Sequence, residues 1–199
     1  FRQVRPSITF NLAGYGVDPQ ERDDVTAYQL NAHLVESICD GVAETLDPHW
    51  LGTNLIHVGS ALEYGPIGGH LQEYETPRPT TPYGKSKLAG TSVLTQCCRE
   101  RRMRGLTARL FTVYGPGEHD GRLLPSLINS VSTGQSLQLT AGQQRRDFIY
   151  VEDAAEGLLR LGLSRPEPGE VVNLATGTLT SVRVFAGIAA GAAVLIHTG

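Results

Sequence analysis

The 199-residue chain is 40% hydrophobic and 19% charged, which is the composition of an ordinary globular protein. Its formal net charge is −3, and no basic run could follow a phosphate backbone, so we expect no nucleic-acid partner. Three cysteines, at positions 39, 97 and 98, lack metal-ligand spacing, which predicts no metal site and a reducing cytoplasm. The apolar stretch 187–199 is short and rich in glycine, and no signal peptide is visible, so we expect no membrane association.

Apolar runs of strand length alternate with helical patterns along the chain. The runs lie at 7–14, 54–60, 106–111, 147–151 and 170–175. Helices are predicted at about 26–46, 84–104, 122–133, 153–164 and 181–190. This alternation predicts an α/β fold, a doubly wound parallel sheet of the Rossmann-like kind with helices on both faces.

The residues that follow each strand are the candidates for a site, because ligands of such sheets bind beyond the carboxyl ends of the strands. Small residues that would let a cofactor approach the main chain follow the first strand, at Leu12, Ala13 and Gly14. Ser60 ends the second strand. Tyr83 begins the next helix, and Lys87 lies one helical turn later on the same face. We therefore expect a serine, a tyrosine and a lysine to converge at one edge of the sheet.

These three side chains suit proton transfer coupled to hydride transfer. A free tyrosine titrates near pH 10, but an ammonium one turn away and a cationic nicotinamide would both favour the phenolate. Tyr83 then becomes a usable proton shuttle, and Ser60 could hydrogen-bond the same substrate oxygen. The Lys87 ammonium has three donors, enough to bind ribose hydroxyls as well. The expected cofactor is NAD or NADP.

Six blocks of the sequence carry a family resemblance: "NLAG", "VGSALEYG", "PYGKSK", "RLFTVYGPGE", "RRDFIYVEDAAEGLL" and "VVNLATGTLTSV". In order and spacing, over about residues 7–186, they resemble the extended short-chain dehydrogenase/reductase family, in particular its NAD-dependent epimerase/dehydratase branch. The resemblance implies Ser60, Tyr83 and Lys87 as the catalytic triad and a nucleotide sugar as substrate. We also expect a homodimer.

The resemblance implies further site residues. Asn31 matches an upstream catalytic asparagine, although it could instead bond a helix carbonyl or cap a kink. Arg146 is implied to reach the pyrophosphate of the nucleotide sugar, and its neighbour Arg145 is expected to be solvated. Other substrate-lining residues are expected at Ala61, Thr112 and Arg122.

The chain departs from the family pattern at its beginning. A dinucleotide-binding fold opens with a strand, a glycine-rich turn and a helix, and a downstream residue selects NAD or NADP. Here the first residues already resemble the family's fourth strand, so we expect the N-terminal strands of the fold to be absent from this sequence. We predict a partial NAD(P)-binding domain over 1–115. Residues 116–199 are expected to mix a smaller substrate-binding lobe with returning Rossmann segments, incomplete at the C-terminus.

The reaction type is predicted from the residues after Ser60. The dehydratase branch carries an Asp-Glu pair there, and this chain has Ala61 and Leu62, which cannot move a proton. Glu63 is displaced by one residue, and on an extended segment its carboxylate would point to the opposite side. A 4,6-dehydration is therefore disfavoured. We expect a sugar epimerase, with a reductase of 4-keto-6-deoxy sugars or a non-catalytic nucleotide-binding homologue as alternatives.

Overall fold

The computed structural model describes residues 1–18 and 20–197. The strands are β1 (Thr9–Asn11), β2 (Leu55–Ser60), β3 (Gly105–Leu110), β4 (Thr112–Tyr114), β5 (Arg145–Tyr150), β6 (Glu170–Leu174) and β7 (Leu179–Ser181). The helices are α1 (Asp24–Tyr28), α2 (Leu34–Ala43), α3 (Pro82–Arg101), α4 (Leu123–Thr133), α5 (Val151–Leu163) and α6 (Val182–His197). A π-helical turn, Gln29–His33, joins α1 to α2, and a 3₁₀ turn, Ala61–Glu63, follows β2. Within the described residues no helix is both long enough and apolar enough to cross a bilayer.

The larger of two compact units contains Phe1–Leu110 and Ala155–Leu174. Its sheet is parallel throughout, in the order β1-β2-β3-β6. Alternate residues of β2 enter two separate cores: Leu55 packs with α2 and α3, and Ile56 packs with Leu158 of α5. Both faces of the sheet are therefore covered by helices. The predicted α/β fold with a Rossmann-like parallel sheet is confirmed.

The smaller unit contains Phe111–Ala154 and the chain from Ala175 onward. Its three-stranded sheet is mixed: β4 pairs parallel with β5, and β5 pairs antiparallel with β7. Phe148 of β5 stacks on Phe185 of α6 with the ring centroids 4.0 Å apart. The apolar run predicted at 147–151 thus corresponds to β5, which pairs in this second sheet with β4 and β7. The predicted domain boundary at residue 115 stays a prediction.

The start of α3 follows directly from its sequence. Thr81 caps the helix, its Oγ1 accepting a hydrogen bond of 3.1 Å from the Gly84 N–H, and Pro82 occupies the first helical position. Arg102 ends the helix in the left-handed conformation, with φ 52°. The helix thus begins two residues earlier than predicted, and Tyr83 lies in its first turn.

Candidate active site

The ammonium group of Lys87 is held between the ends of β1 and β2. Its Nζ donates to the carbonyl oxygen of Val58 at 2.9 Å and to that of Ala13 at 3.2 Å. The residue is only 2% exposed. Two of the three ammonium donors are thus directed at main-chain acceptors, which fixes the side chain beside the loop that follows β1.

The loop after β1 packs closely against Tyr83 and Lys87. A Cβ added to Gly14 would lie 3.3 Å from Lys87 Nζ, and one added to Gly16, whose φ is +100°, would lie 3.3 Å from Tyr83 Cδ2. The preceding residues, Leu12 and Ala13, are exposed. The main chain at Gly14 thus carries no side chain next to Lys87, which fits the close approach of a flat cofactor ring.

Ser60 ends β2 and caps the 3₁₀ turn. Its Oγ accepts a hydrogen bond from the Leu62 N–H at 3.2 Å, and its own N–H donates to Oε1 of Glu63 at 2.8 Å, which forms a capping box. The first turn of α3 packs on this turn, since a Cβ added to Gly84 would lie 2.5 Å from the Leu62 carbonyl oxygen. The structure therefore brings the elements that carry Ser60 and Tyr83 into contact.

Asn31 is fully buried in the π-helical turn. Its Nδ2 donates to the Tyr15 carbonyl oxygen at 2.8 Å and to Ser86 Oγ at 2.9 Å, while its Oδ1 accepts from the Tyr15 N–H at 3.0 Å. The carboxamide thus ties the loop after β1 to helix α3. These bonds describe a positioning role, and a direct part of Asn31 in catalysis stays a prediction. π-Helical turns often occur at functional sites.

The electrostatics of the site centre on two buried bases. Burial lowers the pKa of Lys87 to about 8, and the negative charge of Glu63 opposes that shift. Burial, helped by the positive charge of Lys87, lowers the pKa of His57 to about 3. A neutral His57 is the expected state at physiological pH, and its Nδ1 lies 3.1 Å from Asn11 Nδ2. Asn11 Oδ1 in turn accepts from the Ala13 N–H at 3.2 Å, which supports the same loop.

Because the pKa of Lys87 is lowered in the folded state, we expect the stability of the protein to depend on pH. The folded state releases the Lys87 proton near pH 8 and the unfolded state near 10.5, so the unfolded chain binds more protons between these values. The free energy of unfolding should therefore rise with pH across this window, by about 3 kcal/mol relative to the Lys87→Met variant. Denaturant melts of both proteins at pH 7.5, 9 and 10.5 measure the difference. A gap that stays constant with pH would contradict the burial of the charged group.

The remaining predicted substrate residues are placed as follows. Ala61 begins the 3₁₀ turn after Ser60. Thr112 lies in β4, half-buried and paired with Phe148. Arg122 precedes α4, with its Nε 3.6 Å from Oε1 of Glu118. Arg146 lies exposed on β5. The last three belong to the smaller unit, and their roles stay predictions.

Sequence reasoning missed a buried polar group behind Ser60. Glu63 and Arg109 form an ion pair of 2.9 Å, and their side chains are 0% and 3% exposed. The guanidinium also lies over the ring of Tyr64, 4.4 Å from its centroid. The available signal was a lone arginine inside an apolar strand, but nothing local identified its partner 46 positions away.

The structure thus places a serine at a strand end of a Rossmann-like sheet and a tyrosine-lysine pair on the helix that follows. The model of the NAD dependent epimerase/dehydratase family matches residues 1–175, and the chain belongs to this family. The family predicted from the sequence is thereby confirmed.

Three similar proteins illustrate the relationship. The dTDP-6-deoxy-L-talose 4-dehydrogenase (NAD(P)(+)) of Kitasatospora kifunensis is 30% identical over 81% of this chain and 52% of its own length. The GDP-6-deoxy-D-mannose reductase of Pseudomonas aeruginosa is 30% identical over 89% of this chain and 60% of its own. The structure of RMD from Pseudomonas aeruginosa complexed with NADPH superposes with a TM-score of 0.83 at 28% identity, covering 96% of this chain and 67% of that one. The chain thus spans about half to three-fifths of these curated relatives.

Proposed function

We propose that this chain carries the catalytic residues of an enzyme that transfers hydride between NAD or NADP and carbon 4 of a nucleotide-diphosphate sugar. The observation that carries the proposal is the position of Lys87, buried between the ends of β1 and β2 and one helical turn after Tyr83. The substrate class is supported by the two similar proteins, which are named as a dTDP-6-deoxy-L-talose 4-dehydrogenase and a GDP-6-deoxy-D-mannose reductase.

The chemistry of the three side chains supports the following roles. Tyr83 takes the proton from the sugar hydroxyl during oxidation and returns it during reduction. Ser60 Oγ already accepts from the Leu62 N–H, so its own hydrogen is left to donate to the same sugar oxygen. The positive charge of Lys87 favours the phenolate form of Tyr83. NAD or NADP, when bound, accepts or supplies the hydride.

The same residues would hold the cofactor. The third N–H of Lys87 is the donor offered to a ribose hydroxyl. The main chain of Leu12, Ala13 and Gly14 supplies the surface on which the nicotinamide half would lie. Gly14 is required there because any side chain would press on the Lys87 ammonium.

Dehydration is disfavoured by the groups after Ser60. Ala61 and Leu62 carry no proton-transferring group. Glu63 lies in a 3₁₀ turn rather than on the extended segment expected from the sequence, and its carboxylate accepts bonds from Ser60 N–H, Thr91 Oγ1 and Arg109 Nε. A carboxylate engaged in this way is a poor second base. Besides the hydride carrier NAD or NADP, net oxidation or reduction needs only Tyr83, Ser60 and Lys87, and the same holds for the epimerisation expected from the sequence.

Product analysis tests the proposal. The intact enzyme is supplied with dTDP-, GDP- and UDP-linked hexoses and 4-keto-6-deoxyhexoses together with NAD(P) or NAD(P)H, and the sugars are followed by NMR. We expect one mole of cofactor to be converted per mole of sugar. An epimer formed without net cofactor conversion would identify an epimerase instead. A 4-keto-6-deoxy product formed from a hexose at catalytic rates would overturn the argument from Ala61 and Leu62.

Arg146 is our candidate for the substrate pyrophosphate, and Arg145 is its matched control. The Arg145 guanidinium donates to the Leu179 carbonyl oxygen at 2.7 Å, whereas the Arg146 guanidinium has no polar partner among the described residues. A guanidinium binds a pyrophosphate in a bidentate manner that lysine cannot reproduce. Arg146→Lys should therefore raise the KM for the nucleotide sugar by about tenfold, and Arg145→Lys by clearly less. Equal effects, or a larger one at Arg145, would show that the assignment is wrong.

The homodimer and the cytoplasmic location stay predictions.

A further inference from the structure

A buried carboxylate lies directly behind Ser60. Glu63 Oε1 accepts from the Ser60 N–H at 2.8 Å, and Oε2 accepts from Arg109 Nε at 2.9 Å and from Thr91 Oγ1 at 3.0 Å. One side chain thus joins the end of β2, strand β3 and helix α3. The carboxylate is also closely packed, because a Cβ added to Gly59 would lie 2.5 Å from Oε1.

Arg109, the other member of the ion pair with Glu63, is also held in place. The Arg109 guanidinium covers the ring of Tyr64, which is fully buried. The Tyr64 hydroxyl donates to Asn173 Oδ1 at 2.7 Å, and Asn173 Nδ2 donates to the Leu71 carbonyl oxygen at 3.1 Å. The network therefore runs from Ser60 to the end of β6, and each of its side chains is held by a hydrogen bond or by the contact between Arg109 and the Tyr64 ring.

We propose that Glu63 and Arg109 are positioning residues of the active site: the pair fixes the main chain of Ser60 at the end of β2. The negative charge of Glu63 also acts on the Lys87 ammonium and partly offsets the effect of its burial. This inference rests on the proposed function for its catalytic consequence. The effect of the Glu63 charge on Lys87 does not depend on the proposed function.

Stability by itself is a weak explanation for such a pair. Removing two charges from water costs free energy that their mutual attraction does not always recover, and apolar replacements of similar volume are often as stable. The location of the pair is more informative, since Glu63 touches Ser60 directly and its charge acts on Lys87.

The charged and titratable groups around Lys87 come from several elements. They are His57 of β2, Glu63 of the 3₁₀ turn with its partner Arg109 of β3, and Tyr83 one turn earlier on α3. The loop after β1, whose Ala13 carbonyl oxygen accepts from Lys87, also carries Tyr15 and Glu21, which bond to Asn31 and to the Gly16 N–H. Glu63 is the one whose charge opposes the burial of the Lys87 ammonium. Neutralising it should therefore make Lys87 lose its proton at lower pH.

The chain is well suited to measuring this, because Lys85 and Lys87 are its two lysines. In protein labelled with ¹³C at lysine Cε, NMR titration follows each directly, and Lys85→Arg assigns the signals. We expect Glu63→Gln to lower the Lys87 midpoint by about half a pH unit or more, and to lower kcat about tenfold with little change in the KM for the cofactor. Glutamine keeps an oxygen for the Ser60 N–H, so that hydrogen bond can survive the loss of the charge.

Glu63→Gln leaves Arg109 buried without its partner and could fail to fold, so a second variant is needed. Glu63→Gln with Arg109→Met removes both charges, and there we expect a smaller shift of the Lys87 midpoint in the same direction. The matched control is Glu156→Gln, which breaks an exposed pair with Arg160 of 2.5 Å on α5 and should change neither quantity. An unmoved Lys87 midpoint in the folded variants, or an unchanged kcat, would overturn the inference.

The two proposals fail in different ways. If the wild-type enzyme shows no NAD(P)-dependent turnover, the proposed function is wrong, while the Lys87 midpoint still tests the charge assigned to Glu63. If the wild type turns over and Tyr83→Phe abolishes it, but Glu63→Gln moves neither kcat nor the midpoint, the inference alone is wrong.

Discussion

Replacing Tyr83 with phenylalanine should lower turnover by about two to four powers of ten, the usual scale for losing a general acid or base. The substitution removes one oxygen from a half-buried side chain and keeps the ring that packs against Gly16. Folding should therefore be nearly unchanged. Steady-state kinetics with the preferred nucleotide sugar, together with a thermal melt, measure both quantities.

The control for this variant is Tyr74→Phe. Tyr74 is 83% exposed, in the segment between the 3₁₀ turn and α3. Loss of its hydroxyl should leave turnover within twofold of the wild type. Wild-type turnover in Tyr83→Phe would show that Tyr83 is not the proton shuttle, whatever the tyrosine control does.

Gly90→Ala should cause the largest loss of stability of any single methyl group added to α3. A Cβ at Gly90 would lie 2.0 Å from the carbonyl oxygen of Asn31 and 3.0 Å from Nε2 of His57. Both neighbours are fully buried, and the first is main chain. Helix α3 would have to move away from the π-helical turn, so the free energy of unfolding should fall by about 3 kcal/mol. Urea denaturation followed by circular dichroism gives the value.

Gly187→Ala is the matched control because Gly187 is also a helical glycine. It lies exposed in α6, and apart from its chain neighbours and the backbone of its own helix, no atom of the described residues would come within 4 Å of its added Cβ. Alanine is the better helix former by up to about 1 kcal/mol, so this variant should be as stable as the wild type or slightly more so. If both substitutions changed stability equally, the close contact between α3 and the π-helical turn would be wrong.

Local patterns predicted the strands and helices of the larger unit because each has a length and a periodicity that the sequence displays. β2 and β3 are largely buried strands of six residues, β6 is a mostly half-buried strand of five, and a threonine cap and a proline mark the start of α3. β4 and β7 have three residues each, too few to show a period. Their strand character depends on pairing with β5, which is a non-local interaction.

The site could be predicted in part for the same reason. Tyr83 and Lys87 are related by helical spacing, which a sequence displays directly. Glu63 and Arg109 are brought together by the parallel pairing of β2 with β3, and Asn31 meets Ser86 only through the packing of α3 on the π-helical turn. No local pattern indicates either contact. Glu63 lies in a 3₁₀ turn with a capping box and not on the extended segment assumed from the sequence, because the capping bonds depend on side-chain geometry that spacing alone does not display.

The most direct test of the account follows the hydride itself. A nucleotide sugar carrying deuterium on carbon 4 is incubated with the intact enzyme and oxidised NAD or NADP, and the reaction is quenched within a single turnover. We expect the reduced cofactor to be one mass unit heavier, by mass spectrometry, than the reduced cofactor formed from unlabelled sugar. We also expect Tyr83→Phe to slow the appearance of this label. Sugar conversion in which the deuterium is lost to solvent, with none in the cofactor, would contradict it.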